Sequence, residues 1–175
     1  MKKTSIKNLT VSALCLALSV TLPLLIGQVP QIGKALCPMH IPVLLCGFLC
    51  PWGYGLAVGL IAPFLRNLIF GLPELFPTGI VLAVEMGVYG IVIGTLSRRL
   101  PKKIGYYYVS LICAMILGRL ASGLCSLLLL TLGLLGEYSL AIFFSAVVLK
   151  TIPAMLLQLL VVPILVHTLN RRKDL

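Results

Sequence analysis

The sequence predicts an all-α integral membrane protein, a compact bundle of six transmembrane helices with both termini on the cytoplasmic side. Of its 175 residues, 60% are apolar and 10% are charged, whereas a soluble domain is about one quarter charged. The mean hydropathy is +1.13. Long apolar stretches separate the charges, and helices satisfy their own backbone hydrogen bonds in lipid. We therefore expect residues 1–175 to form a single six-helix transmembrane domain.

The basic excess excludes one class of partner. Fourteen Lys and Arg residues against four Asp and Glu give a net charge of +10, which in a polar protein would indicate nucleic-acid binding. Here the basic residues are few and lie mainly in clusters at the ends of apolar stretches. The expected surroundings are a lipid bilayer, with no nucleic acid.

Five apolar stretches are long enough to cross a bilayer, and one is not. The short one is the second, Ile41–Cys50. At about 1.5 Å per residue it cannot cross a hydrocarbon core roughly 30 Å thick. We expect it to be short, tilted or enclosed within the bundle. The five long stretches, numbered first and third to sixth, are Ile6–Ile26, Tyr54–Phe70, Thr78–Leu96, Tyr106–Leu132 and Leu140–Leu169.

The first stretch resembles the start of a secretory signal, because Lys2 and Lys3 precede an apolar run. Signal peptides, however, have a shorter apolar core and a cleavage site with small residues. The residues that follow, Gly27 to Pro30, offer no such site. We expect a retained helix.

Clusters of basic residues determine the expected orientation, because short loops rich in Lys and Arg stay in the cytoplasm. Six spans place ten basic residues on one face and only Lys34 on the other. If residues 41–70 formed one helix, the basic cluster at residues 98–103 would lie on the opposite side of the membrane from the N-terminal cluster. The six-span arrangement is therefore preferred, and in it Pro51–Gly53 is predicted to be a tight inner turn. The three clusters are Lys2, Lys3 and Lys7; Arg98, Arg99, Lys102 and Lys103; and Arg171, Arg172 and Lys173.

Motifs for nucleotides, metals and catalysis are weak. Gly27 to Lys34 approaches a phosphate-binding loop but has one residue too many, and Ala35 replaces the required hydroxyl residue. Cys37 and His40 offer two metal ligands without a second pair at zinc-like spacing. One intramembrane Glu and two scattered His residues do not form a catalytic set. We expect no ATPase site, no metal or other cofactor, and no enzyme activity.

Four charged residues lie inside predicted helices, where a lone charge costs at least ~2.5 kcal/mol. They are Arg66, Glu85, Arg119 and Lys150. Counted along each helix, all four fall between the outer surface and the midplane. Since they come from four helices, they are predicted to converge on one outward-facing cavity.

The balance of these charges leaves two hypotheses. Three cations against one carboxylate favour a bound anion, held in a pocket that also includes polar residues at helical spacing. Alternatively, the charges pair internally in an accessory or assembly membrane protein with no transported ligand. The connections Gly27–Met39 and Gly71–Pro77 form either a lid or stiff connectors. The candidate substrate-binding residues are Arg66, Asn67, Glu85, Tyr89, Arg119, Lys150 and Gln158.

Four segments of the chain resemble the substrate-binding S components of energy-coupling factor (ECF) transporters. They run from Pro38 to Phe48, from Gly59 to Leu68 and from Glu85 to Gly90, followed by the pair Gly118-Arg119. The resemblance implies a subunit of a prokaryotic cell membrane that binds a vitamin or related micronutrient on its outer side.

The same resemblance implies partners. Such a subunit docks through small residues of its first helix, here Ala13 and Ala17, onto a membrane scaffold that carries two ATPase subunits. The bundle is then thought to topple and to release its substrate inward. Pantothenate fits an anion site, and flavin, pyridoxine-like and thiamine-precursor ligands stay open.

Overall fold

The computed structural model describes residues 2–26, 38–101, 103–133 and 152–171. Throughout these ranges the regular structure is helical, which confirms the predicted all-α class. A π-helical turn, Leu75–Gly79, precedes the fourth α-helix. The α-helices are α1 (Lys2–Ile26), α2 (His40–Leu49), α3 (Trp52–Phe70), α4 (Ile80–Arg99), α5 (Ile104–Thr131) and α6 (Ile152–Arg171).

Within the described residues, four helical segments are long and apolar enough to cross a membrane. They are Ile6–Leu24, Trp52–Phe70, Leu75–Arg99 and Ile104–Thr131, whereas α2 and the apolar part of α6, Ala154–Leu169, are shorter. A multi-pass membrane bundle is therefore confirmed. Six complete crossings and two cytoplasmic termini stay predictions, and residues 134–151, in which the sixth span was predicted to begin, lie outside the described residues.

The turn between α2 and α3 is shorter than the sequence predicted. A residue that precedes proline is restricted to extended backbone, and Cys50 accordingly has φ −116° and ψ 163°. Pro51 then precedes α3, so Trp52 and Gly53 belong to the first turn of the helix. The predicted extent of the turn, Pro51–Gly53, is wrong, because proline at the N-cap starts the next helix at once.

The short helix α2 lies inside the bundle. It packs against α1, α3, α4 and α6. Its Leu44 belongs to a core with Tyr89 of α4, and its Val43 and Cys46 belong to a second core with Cys15 of α1. A helix that is buried between neighbours does not need to span the bilayer, so the enclosed alternative for this segment is confirmed.

Helices α3 and α4 are in close backbone contact through glycines. A Cβ atom added to Gly90 would overlap the backbone of Gly55, and one added to Gly59 would overlap the backbone at Met86. Small residues permit this approach, which drives helix association in lipid. The contact also fixes the register between α3 and α4.

Replacing Gly90 with alanine is expected to lower the free energy of unfolding by about 1–3 kcal/mol, because the two backbones must separate. Thermal unfolding in detergent measures the effect. Gly53→Ala is the matched control, since no atom lies within 4 Å of the added Cβ. Equal unfolding temperatures for the two variants would contradict this packing.

Candidate functional site

Among the described residues, three side chains from three helices surround the carboxylate of Glu85, and we call these four residues the carboxylate cluster. Glu85 is 4% exposed. Tyr89 donates a hydrogen bond to its Oε1 over 2.6 Å. Nη1 of Arg119 lies 3.3 Å from Oε1 and 3.4 Å from Oε2. Nε2 of His40 lies 3.7 Å from Oε1. The structure thus brings together three of the predicted site residues and adds His40.

Helix geometry explains this meeting. Glu85 and Tyr89 are one turn apart on α4 and share a face. A Cβ atom at Gly118 would overlap the Tyr89 ring, so only glycine lets that ring lie against α5. The next residue, Arg119, then reaches the carboxylate. His40 begins α2, and its ring centroid lies 5.7 Å from that of Tyr89.

The contact between Arg119 and Glu85 leaves donor capacity on the guanidinium. Charged N–H···O bonds are usually about 2.7–2.9 Å long, and arginine often binds carboxylates through two nitrogens. Here a single nitrogen makes two longer contacts. Nε of Arg119 is buried and has no hydrogen-bond partner among the described residues. Glu85 therefore holds Arg119 without using all of its donors.

Arg66 and Asn67 lie nearer the loop end of α3 than the carboxylate cluster does. Gly59 of α3 is level with Met86 of the antiparallel α4, which places Arg66 roughly 9 Å along the axis from Glu85. Nε of Arg66 is buried without a hydrogen-bond partner, and no ion pair of Arg66 occurs within the described part of the chain.

Asn67 is engaged with the connection that follows α3. Its Nδ2 donates a hydrogen bond to the carbonyl oxygen of Pro73 over 2.7 Å. Gly71, with φ +69°, ends the helix and turns the chain back. The side chain of Asn67 thus ties the connection at Pro73 to the last turn of α3.

The last two predicted site residues stand differently. Gln158 of α6 is 3% exposed. It lies one turn from Val162, which shares a core cluster with Tyr89. Lys150 lies outside the described residues. Of the four charges predicted to converge, the structure therefore brings Glu85 and Arg119 together. Arg66 lies farther along α3.

Sequence reasoning missed His40 as a member of the cluster. The sequence presents it as a metal ligand beside Cys37 and as one of two scattered histidines that form no catalytic set, and Cys37 lies outside the described residues. Among those that the structure describes, no group of three His, Cys, Asp or Glu residues could hold a metal ion. The position of His40 gave no signal, because counting from Ile41 places it at the outer end of the second stretch. Burial of α2 inside the bundle brings the start of this helix to Glu85.

A second surface, the α1–α3 groove, opens at the N-terminal end of α3, opposite the end that carries Arg66 and Asn67. Its volume is about 680 Å³, and its lining is mostly apolar. Ala13 lines this groove, and Ala17, one turn further along α1, is exposed. The lining residues are Leu9, Ser12, Ala13, Leu16, Pro51, Trp52, Gly53, Tyr54, Ala57, Val58 and Ile61.

Comparison with known proteins agrees with the resemblance seen in the sequence. The family model described as "ECF transporter, substrate-specific component" matches residues 7–166. Comparisons with curated proteins and with solved structures gave no match. The matched range includes the carboxylate cluster and α2 to α5 in full. The chain therefore belongs to the substrate-specific components of ECF transporters, which are multi-pass membrane subunits that bind a substrate for transport.

Proposed function

We propose that this S component binds a small nutrient with a carboxylate or other anionic group, pantothenate-like in its chemistry, at an outward-facing pocket between the carboxylate cluster and Arg66. One observation carries the proposal. Arg66 and Arg119 each bury an Nε atom that has no hydrogen-bond partner among the described residues. Unsatisfied charge and donors inside a membrane protein are costly and mark ligand pathways. An anionic ligand would supply the partner that Arg66 lacks within the described ranges and would engage the donors of Arg119 that Glu85 leaves free.

The contacts suggest a division of roles. Arg119 anchors the anion, preferably through two nitrogens. Glu85 already accepts a hydrogen bond from Tyr89 and lies within 4 Å of Nη1 of Arg119 and Nε2 of His40. Its role is therefore to orient Arg119 rather than to accept from the ligand. Arg66 supplies the second positive charge.

The other predicted pocket residues have supporting roles in this proposal. Asn67 holds the Gly71–Pro77 connection against the last turn of α3 through its bond to Pro73. Gln158 lines the pocket from α6, and its burial supports this inward position. A place for Lys150 in the pocket stays a prediction from the sequence.

One observation favours the alternative of an accessory or assembly protein. Glu85 and Arg119 do pair internally, as that alternative requires. It leaves Arg66 without an ion pair in the described ranges, however, and membership of a transport family favours a ligand. It predicts that Arg119→Ala destabilises the protein without any effect on uptake.

A panel of vitamins tested on the purified protein examines the proposal. Pantothenate and its alcohol, pantothenol, differ only in the anionic group. We expect calorimetry to show that the anionic member of such a pair binds about 10- to 100-fold more tightly than the uncharged member, where each factor of ten equals 1.4 kcal/mol. High affinity only for cationic vitamins would exclude the anion site. Failure of the whole panel, together with no scaffold-dependent uptake in cells, would favour the accessory protein.

We further propose that the loaded subunit docks on the ECF membrane scaffold with its two ATPase subunits and releases the nutrient inward. Ala13 and Ala17 lie on an exposed face of α1, and small residues allow a partner helix to approach closely in lipid. The α1–α3 groove continues this surface, since Ala13 is part of its lining.

The double variant Ala13→Leu/Ala17→Leu is expected to lower co-purification with the scaffold and uptake, each by about tenfold, because larger side chains keep the helices apart. Ligand affinity of the isolated subunit should not change. Leu120→Phe, on an exposed face of α5, is the control. Normal assembly of the double variant would place the docking surface elsewhere.

A further inference from the structure

A cluster of cations surrounds the connection between α4 and α5. Arg98, Arg99 and Lys103 are exposed, and we call them the basic turn. None of them forms an ion pair in the part of the chain that the structure describes. Of the acidic residues described there, Glu85 pairs with Arg119, and Glu74 lies beyond the opposite end of α4. The positive charge of the basic turn is therefore uncompensated by any acidic residue that the structure describes.

The backbone keeps these cations close together. Leu100 is extended before Pro101, and the N–H of Lys103 donates to the carbonyl oxygen of Pro101 over 2.8 Å. α5 then starts without a side-chain cap and without an acidic residue in its first turn. The free amide groups of a helix start add positive potential to that of neighbouring cations.

Aromatic residues indicate the depth of the basic turn in the bilayer. Tyr106 and Tyr108 are 38% and 36% exposed. Tyr107 between them is buried and meets Phe48 edge-on, with ring centroids 5.6 Å apart. Exposed tyrosines are enriched at the boundary between lipid and water. The cations beside them therefore lie at the level of the lipid headgroups.

We propose that the basic turn binds the phosphate group of an anionic phospholipid such as phosphatidylglycerol. Guanidinium groups match phosphate geometry, and basic clusters next to a transmembrane helix attract anionic headgroups. Arg98 and Arg99 also lie in the last turn of α4, where they stabilise the negative end of the helix dipole. Stabilisation of the helix dipole does not depend on the lipid headgroup. A preference for one headgroup therefore distinguishes lipid binding from a purely structural role of these arginines.

Native mass spectrometry of the full-length protein tests this proposal. The protein is equilibrated with equal amounts of dioleoyl phosphatidylglycerol and dioleoyl phosphatidylcholine, and the retained lipids are counted. We expect the wild type to retain more phosphatidylglycerol. The triple variant R98Q/R99Q/K103Q should reduce that preference by about tenfold, since each cation near the membrane surface contributes to the attraction. The control K2Q/K3Q/K7Q removes the same charge from the N-terminal cluster and should keep the preference.

Three results would overturn the proposal. The first is a wild type with no headgroup preference. The second is an equal loss of that preference in both triple variants, which would show that only net charge matters. In the third, inorganic phosphate added to protein in phosphatidylcholine alone binds the wild type but not R98Q/R99Q/K103Q, which would identify free phosphate as the occupant. Nutrient binding is measured on the same samples, so this test is decided independently of the proposed transport function.

Discussion

Replacing Arg119 with glutamine is expected to lower the affinity for an anionic nutrient by about 100-fold, because a buried charge-assisted contact is lost. The donors of Arg119 that Glu85 does not engage are the ones assigned to the ligand. Calorimetry with pantothenate as the probe measures the change. Arg119→Lys keeps the charge but not the two-nitrogen geometry, so it should recover part of the affinity.

The uncharged analogue separates recognition from folding. Pantothenol should lose far less affinity than pantothenate in Arg119→Gln, because it has no anion for the guanidinium. Lys7→Gln removes an exposed cation of α1 and should affect neither ligand. Equal losses for the acid and the alcohol would mean that Arg119 only supports the fold, which contradicts its assigned role.

Glu85→Gln is expected to reduce the free energy of unfolding by about 3 kcal/mol, because breaking a buried pair leaves the other charge uncompensated. Thermal unfolding in detergent, followed by circular dichroism, gives the measurement. Glu74→Gln is the control, since Glu74 is exposed in the connection before α4. An unfolding temperature equal to that of this control would contradict the importance of the pair.

The double variant Glu85→Gln/Arg119→Gln completes a cycle that separates the two roles of the cluster. Removing both charges should restore most of the stability lost in Glu85→Gln, since neither charge is then left unpaired. Binding of pantothenate should not recover. A double variant that is stable and binds normally would show that the pair serves the fold alone.

Much of the helical framework follows from apolar length alone. The second stretch was predictably too short to span, and burial of α2 among four helices is one of the three alternatives that this length left open. Helix ends depend on local chemistry that hydropathy does not show. Pro51 starts α3 at Trp52, and the π-helical turn Leu75–Gly79 delays α4 to Ile80, two residues after the predicted Thr78.

The site was predictable where helical spacing decides the outcome. Glu85 and Tyr89 share a face of one helix, and similar depth placed Arg119 opposite them. Asn67 adjoins Arg66 in sequence, yet its amide bonds to Pro73, because the connection folds back in a way that spacing cannot reveal. His40 was missed because it lies just before the apolar stretch that was counted, at the start of α2.

Mass spectrometric identification of the small molecule that co-purifies with the protein tests the central claim most directly. The protein is purified from cells grown in rich medium, and ligands are extracted from the wild type and from Arg119→Gln in parallel. We expect the wild type to retain a carboxylate-bearing or otherwise anionic nutrient and the variant to lose it. Retention of only a cationic or uncharged nutrient, at equal levels in both proteins, would contradict an anion-binding S component.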